Sequence, residues 1–124
     1  MVSLVIPAYN EEATLPHLME RIRPVMEKLG RRYEIIFVDD GSRDNTLSIL
    51  KTLLKYPEVR VVELTRNYGQ HAAILSGFSV VKGDIIITLD ADLQNPPEEV
   101  PNLVKVMEEG DYDVVGTIRR SGRT

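Results

Sequence analysis

The residues best suited to chemistry stand at the end of one apolar run, Gly83-Asp84-Ile85-Ile86-Ile87-Thr88-Leu89-Asp90-Ala91-Asp92-Leu93-Gln94-Asn95-Pro96-Pro97. Its β-branched residues read as a strand buried on both faces, and Pro96-Pro97 prevent that strand from continuing. Alternate side chains of an extended segment point the same way, which puts Asp90 and Asp92 on one side. Carboxylates that close repel unless they share a proton or bind a cation. Hard oxygen donors at a strand mouth suit Mg²⁺ or Mn²⁺, and Gln94 can add a neutral oxygen. An ion held there would grip a diphosphate. A bare Asp-x-Asp is also an ordinary polar strand exit, so the rest of the chain has to decide.

A second acidic stretch, Asp39-Asp40-Gly41-Ser42, is a good turn. It is also a set of acceptors for a nucleobase N–H or a ribose hydroxyl, with Gly41 letting a ligand approach closely. Tyr9 closes the first apolar run, where it can stack on a base or pack half-buried. His17 and His71 sit on helices and carry no assigned role. The net charge of −4 comes without a basic stripe and gives no reason to expect nucleic acid. The absence of cysteine excludes disulfides and thiolate metal sites. No apolar run approaches the ~18 residues of a membrane helix, and the apolar start at Met1 to Ile6 is too short for a signal peptide. With 124 residues, 43% hydrophobic and 27% charged, the chain reads as one soluble globular domain able to bury a core.

Positioning those side chains is the task of alternating strands and helices. Val2 to Ile6 is a first strand, ended by Pro7. A helix follows with Thr14 as cap, Pro16 in its first turn, apolar residues at spacings of three and four from Leu15 to Leu29, and Gly30 as its stop. Glu34 to Val38 is a second buried strand. Asp44 or Asn45 caps the next helix, whose core face is Leu47, Leu50, Leu53 and Leu54. Val59 to Leu64 is a third strand. Arg66 to Gln70 then leads into a small-residue helix, ending near Gly83, that packs closely on the sheet at some cost in propensity. Pro97 opens a further helix with Glu98 and Glu99 at its positive end, and Val114 to Ile118 is a fifth strand. This order means a parallel α/β sheet with right-handed crossovers. Ligands of such sheets bind beyond the carboxyl ends of the strands, and every polar cluster of the sequence is expected at that edge.

Three motifs in order carry a resemblance that covers essentially the whole chain. Val5-Ile6-Pro7-Ala8-Tyr9-Asn10-Glu11-Glu12, Val38-Asp39-Asp40-Gly41-Ser42-Arg43-Asp44 and Asp90-Ala91-Asp92-Leu93-Gln94 resemble glycosyltransferase family 2, with its Rossmann-like GT-A fold. The continuation to Asn95-Pro96-Pro97-Glu98 is similar to the polyprenyl-phosphate branch, which includes dolichol-phosphate mannose synthases. Arg66-Asn67-Tyr68-Gly69-Gln70-His71-Ala72-Ala73 narrows this toward undecaprenyl-phosphate transferases of bacterial lipid A modification.

The resemblance implies about five strands and four helices and a nucleotide-sugar donor, UDP-linked in this branch. Pro7, Tyr9 and Glu11 would line the nucleoside pocket, and Asp40 with Asp39 would hold the uracil. Asp90, Asp92 and Gln94 would hold the Mg²⁺ or Mn²⁺, so that Asp90 and Asp92 carry the catalysis. Arg66 and Gln70 are further donor-side candidates. Arg119 and Arg120 could meet a phosphate. The acceptor would be a polyprenyl phosphate.

Members of the family continue into an acceptor-binding half and membrane helices, at the cytoplasmic side of the inner membrane. Residues 1–124 are accordingly expected to be a soluble donor-binding portion that binds nucleotide weakly and transfers nothing alone. An incomplete sheet would also expose an edge that invites self-association. Two other α/β readings fit less well. A phosphorylation receiver wants its acidic pair after the first strand and a lysine after the fifth, and a sugar nucleotidyltransferase wants a glycine-rich loop where Pro7-Ala8-Tyr9-Asn10 stands. A non-catalytic nucleotide- or metal-binding module remains the alternative of a different class.

Overall fold

The computed structural model describes residues 1–91, 96–110 and 114–115. Five parallel strands form one sheet in the order β3-β2-β1-β4-β5: β1 is Val2–Ala8, β2 Tyr33–Asp39, β3 Val59–Glu63, β4 Ile85–Thr88 and β5 Val114–Val115. Four strands are of ordinary length; the fifth is described for two residues, and the rest of its expected span to Ile118 lies outside the described residues. The helices are α1 (Leu15–Leu29), α2 (Thr46–Thr52), α3 (Gln70–Phe78) and α4 (Val100–Gly110).

Strand alternation sorts the core into two layers. Leu4, Ile6, Ile35, Phe37 and Ile87 face one side, where α1, α2 and α4 bring Leu18, Ile22, Met26, Leu50 and Val104. Val5, Ile36 and Val38 face the other, where α3 brings Ala73. The small residues of α3 do pack tightly, since a Cβ on Gly77 would stand 2.5 Å from Val5 Cγ1. After β3 the chain crosses back over β2 and β1 to reach β4. The strand order therefore reverses between β1 and β4, the position where ligands of open α/β sheets bind.

Several expectations are corrected. The first strand does not stop at Pro7 but runs through it to Ala8, paired with Asp39 of β2. Proline is tolerated in this central strand because of where its missing donor falls. Leu89 N–H donates to Val5 O at 3.1 Å, and Asp40 N–H to Ala8 O at 2.9 Å. Alternate residues address the same neighbour, so Pro7 faces the β4 side, where the ladder ends. α3 stops at Phe78, not near Gly83. Leu54 is exposed rather than part of a core face, because the chain tightens into a 3₁₀ turn over Leu53–Lys55 and rotates it outward. Thr14 precedes α1 without capping it by its side chain. Before α2, Asn45 makes no side-chain cap, and Asp44 accepts the Thr46 N–H at 2.9 Å instead.

One polar cluster sits at the opposite, amino edge of the sheet. Glu34 is buried and accepts hydrogen bonds from Ser3 Oγ at 2.6 Å, Lys82 N–H at 2.7 Å and Arg60 Nη1 at 3.2 Å. Arg60 also donates to Val80 O, and Gly83 N–H donates to Ser3 Oγ. Burial opposes the charge of Glu34, but these donors outweigh it and hold the carboxyl below its ordinary range. The network fastens the α3–β4 connection to three strands.

Candidate functional site

The loops at the carboxyl ends of β1 and β2 are tied together backbone to side chain. Asn10 takes a positive φ of 53°, and from there its N–H donates to Ser42 Oγ while its Oδ1 accepts from Arg43 N–H, both at 2.9 Å. Glu11 N–H donates to Thr46 Oγ1 at 2.8 Å, and Asn45 N–H donates to Glu12 Oε1 at 2.8 Å. Asp44 accepts from Thr46; burial works against its charge, yet these bonds keep its carboxyl below the ordinary range. Much of both motifs is thus structural wiring that fixes the two loops against each other.

The third loop is held by Asp40. Asp40 continues the alternation of Ile36 and Val38, so its side chain emerges on the α3 side of the sheet. Its carboxylate, 3% exposed, accepts from Tyr68 N–H at 2.8 Å, Gly69 N–H at 3.0 Å and Asn67 Nδ2 at 3.3 Å. Gly41 lets this loop come close. At φ 71°, an added Cβ would fall 2.2 Å from the carbonyl carbon of Arg66. The near neighbour of Gly41 is therefore the Arg66–Asn67 backbone. Asp39 has the opposite phase and is buried, where its Oδ1 accepts from Ser42 N–H at 3.3 Å.

Between these loops and the end of β4 lies a cleft of about 460 Å³. Of the residues singled out in the sequence, Pro7, Tyr9, Glu11, Asp40, Gln70 and Asp90 line it. Asp39 and Arg66 do not; Arg66 lies over the Tyr68 ring at 5.2 Å. Asp92, Gln94, Arg119 and Arg120 lie outside the described residues. Ala8, Asn67, Gly69 and Ala91 complete the lining without having been singled out. Asn67 was legible only as part of a loop, because what it does depends on where β2 ends beside it.

Asp90 shares the phase of Thr88 and also emerges on the α3 side. It is 5% exposed, and Gln70 Nε2 donates to its Oδ1 at 2.8 Å. The next residue, Ala91, is anchored through its carbonyl by Thr14 Oγ1 at 2.9 Å, which spends on the cleft wall the hydroxyl expected to cap α1. Among the described residues no group of three acidic, histidine or cysteine side chains gathers in a way that could hold a metal. Asp90 is the described member of the expected ligand set.

The model of Glycosyl transferase family 2 matches residues 3–124. The chain belongs to that family. It is 58% identical over 121 residues to an undecaprenyl-phosphate 4-deoxy-4-formamido-L-arabinose transferase of Shewanella sediminis, covering 96% of this chain and 36% of that protein. A Serratia proteamaculans protein of the same name is 59% identical over 120 residues, with 95% and 36% covered. The chain thus spans 36% of the length of these relatives.

Among solved structures, Staphylococcus aureus TarS 1–349 in complex with UDP-GlcNAc superposes with a TM-score of 0.70 at 21% identity, over 99% of this chain and 36% of that one. The mannosyltransferase PcManGT of Pyrobaculum calidifontis, in complex with GDP-Man and Mn²⁺, gives 0.65 at 26% identity, over 86% and 32%. The fold of this family-2 chain is the GT-A α/β fold.

Proposed function

We propose that this chain supplies the donor site of a transferase that moves a sugar from a nucleotide-sugar, UDP-linked, to a polyprenyl phosphate in cell-envelope glycolipid synthesis. The observation that carries the reading is the cleft itself. It collects Pro7, Tyr9, Glu11, Asp40, Gln70 and Asp90 from four separate loops at the reversal of strand order. The relatives' names support a polyprenyl-phosphate acceptor, and the UDP-GlcNAc complex of TarS supports a nucleotide-sugar donor. Donor binding is what the cleft supplies; sugar transfer is proposed of a protein with the relatives' full length.

In this reading Tyr9 stacks on the base at the rim, and Asp40, already bound to the third loop, offers its remaining acceptor capacity to a base N–H. Asp39 supports the turn beside Asp40 by accepting from Ser42 N–H, and Arg66 lies over the Tyr68 ring. A divalent cation suits Asp90, one of whose hard oxygens accepts from a neutral amide at the cleft. Asp90 would hold Mg²⁺ or Mn²⁺ with Asp92 and Gln94. Bound there, the ion supplies Lewis-acid stabilisation to the departing nucleoside diphosphate. The acceptor phosphate has a second pKa of about 6 and is largely ionised at neutral pH, so the chain need not provide a strong general base. Attack opposite the leaving group inverts the anomeric carbon.

A GDP-linked donor is the second reading, favoured by the GDP-Man complex of PcManGT. Calorimetric titration of UDP and of GDP, each with Mn²⁺ and with EDTA, decides. UDP binding that Mn²⁺ strengthens, with that gain lost in Asp92→Ala, is the expected result. Tighter GDP binding selects the second reading, and no nucleotide binding by the folded chain overturns both.

A further inference from the structure

We propose that Gln70 is a positioning residue, which sets the Asp90 carboxylate for a divalent cation instead of touching the donor. The inference rests on the metal-assisted donor site proposed above. Gln70 is the first residue of α3, and its Nε2 lies 2.8 Å from Asp90 Oδ1. Its own placement is fixed from two directions. Upstream, the Asp40 carboxylate takes the N–H groups of Tyr68 and Gly69, and Gly69 adopts a φ of 103° that turns the chain into the helix. Downstream, Ala73 and Gly77 seat α3 on β1 and β2, with space for hydrogen only at Gly77. The amide therefore projects from a rigid base, while Asp90 stands at the end of β4, past the last laddered residue.

The chemistry of the donor matters as much as its reach. A carboxylate that ligates a cation is ordinarily oriented by an outer hydrogen bond. An arginine or lysine in this place would compete with the cation for the negative charge, whereas a primary amide orients one oxygen without bringing a positive charge of its own. The same bond joins the two ends of the cleft. Asp40 at the end of β2 and Asp90 at the end of β4 are linked through one short loop and one side chain. A shift of that loop therefore moves the cation's ligand.

The test uses Gln70→Met, which keeps the length of the side chain and removes the donor, with Gln70→Ala beside it. Melting curves without ligand confirm that each variant folds. Mn²⁺ affinity is read by electron paramagnetic resonance, and UDP affinity by calorimetry with Mn²⁺ and with EDTA. Mn²⁺ binding is expected to weaken by about 10- to 100-fold, and the Mn²⁺-dependent gain in UDP affinity to shrink with it, while the UDP affinity in EDTA stays at the wild-type value. Equal losses of UDP affinity with and without Mn²⁺ would show that Gln70 touches the donor directly and would overturn the proposal. Unchanged Mn²⁺ affinity would overturn it as well, leaving the donor-site reading intact. If the wild-type chain itself shows no Mn²⁺-dependent UDP binding, the donor-site reading falls and this inference with it.

Discussion

Asp39 and Asp40 are adjacent and chemically identical, yet the sheet sends them to opposite faces. Asp40 accepts three hydrogen bonds from the third loop. Asp39 is turned toward the other layer, where it accepts from Ser42. Strand alternation makes that division legible in the sequence, but only with the phase of the strand, which depends on which apolar residues meet which helix. Gly41 belongs to the same scale. Alanine there meets a positive φ, which costs about 1–3 kcal/mol, and collides with the Arg66 backbone 2.2 Å away. Gly30 is a control with a φ of 75° and nothing within 4 Å of an added Cβ. Thermal unfolding followed by circular dichroism should show Gly41→Ala lowering the midpoint clearly more than Gly30→Ala. Equal losses would mean that the two loops do not cross as described.

At the scale of elements, the network around Glu34 is the part of the fold that sequence reading missed. Ser3, Glu34 and Arg60 each sit second in their strands and look like the unremarkable starts of apolar runs; the register sets Ser3 opposite Glu34, and Arg60, opposite Ile36, reaches back to Glu34 with its long side chain. The element types and their order were legible, since the spacing of apolar residues and the positions of proline and glycine carry them. The end of β1 and the outward turn of Leu54 were not, because a neighbouring strand's length and a local 3₁₀ turn decide them. The network also makes stability depend on pH. The Glu34 carboxyl titrates below its ordinary 4.5 in the folded chain, so the unfolded chain binds the proton more readily. Its stabilisation is fully present above about pH 4.5 and is lost as the pH falls through the folded-state value. Glu34→Gln should cost about 1–3 kcal/mol at neutral pH, and its difference from wild type should shrink on acidification. Denaturant melts across that range check this; a constant difference would contradict it.

Taken as a whole, the molecule puts a buried polar network and an open cleft at opposite edges of one sheet. The amino edge is closed by a buried network, the carboxyl edge is open, and α3 is packed against β1 and β2 between the two. A ligand at the open edge should raise the stability of the entire chain, because the loops that meet it are wired to β1, β2 and β4. UDP with Mn²⁺ at a hundred times its dissociation constant should add ~2.7 kcal/mol to unfolding, measurable as a rise in melting temperature that EDTA diminishes. Among the described residues no helix is long and apolar enough to cross a membrane. Self-association, expected from a sheet with an exposed edge, is read from the same sample by light scattering. The depth of the open edge has a different origin from its walls. β1 and β4 close on each other like a zip whose stop is the ring of Pro7, a covalent limit that packing cannot override. Heat or a core substitution can soften the layers on either side without drawing the teeth further together. The crevice therefore stays open until β1 itself leaves the sheet.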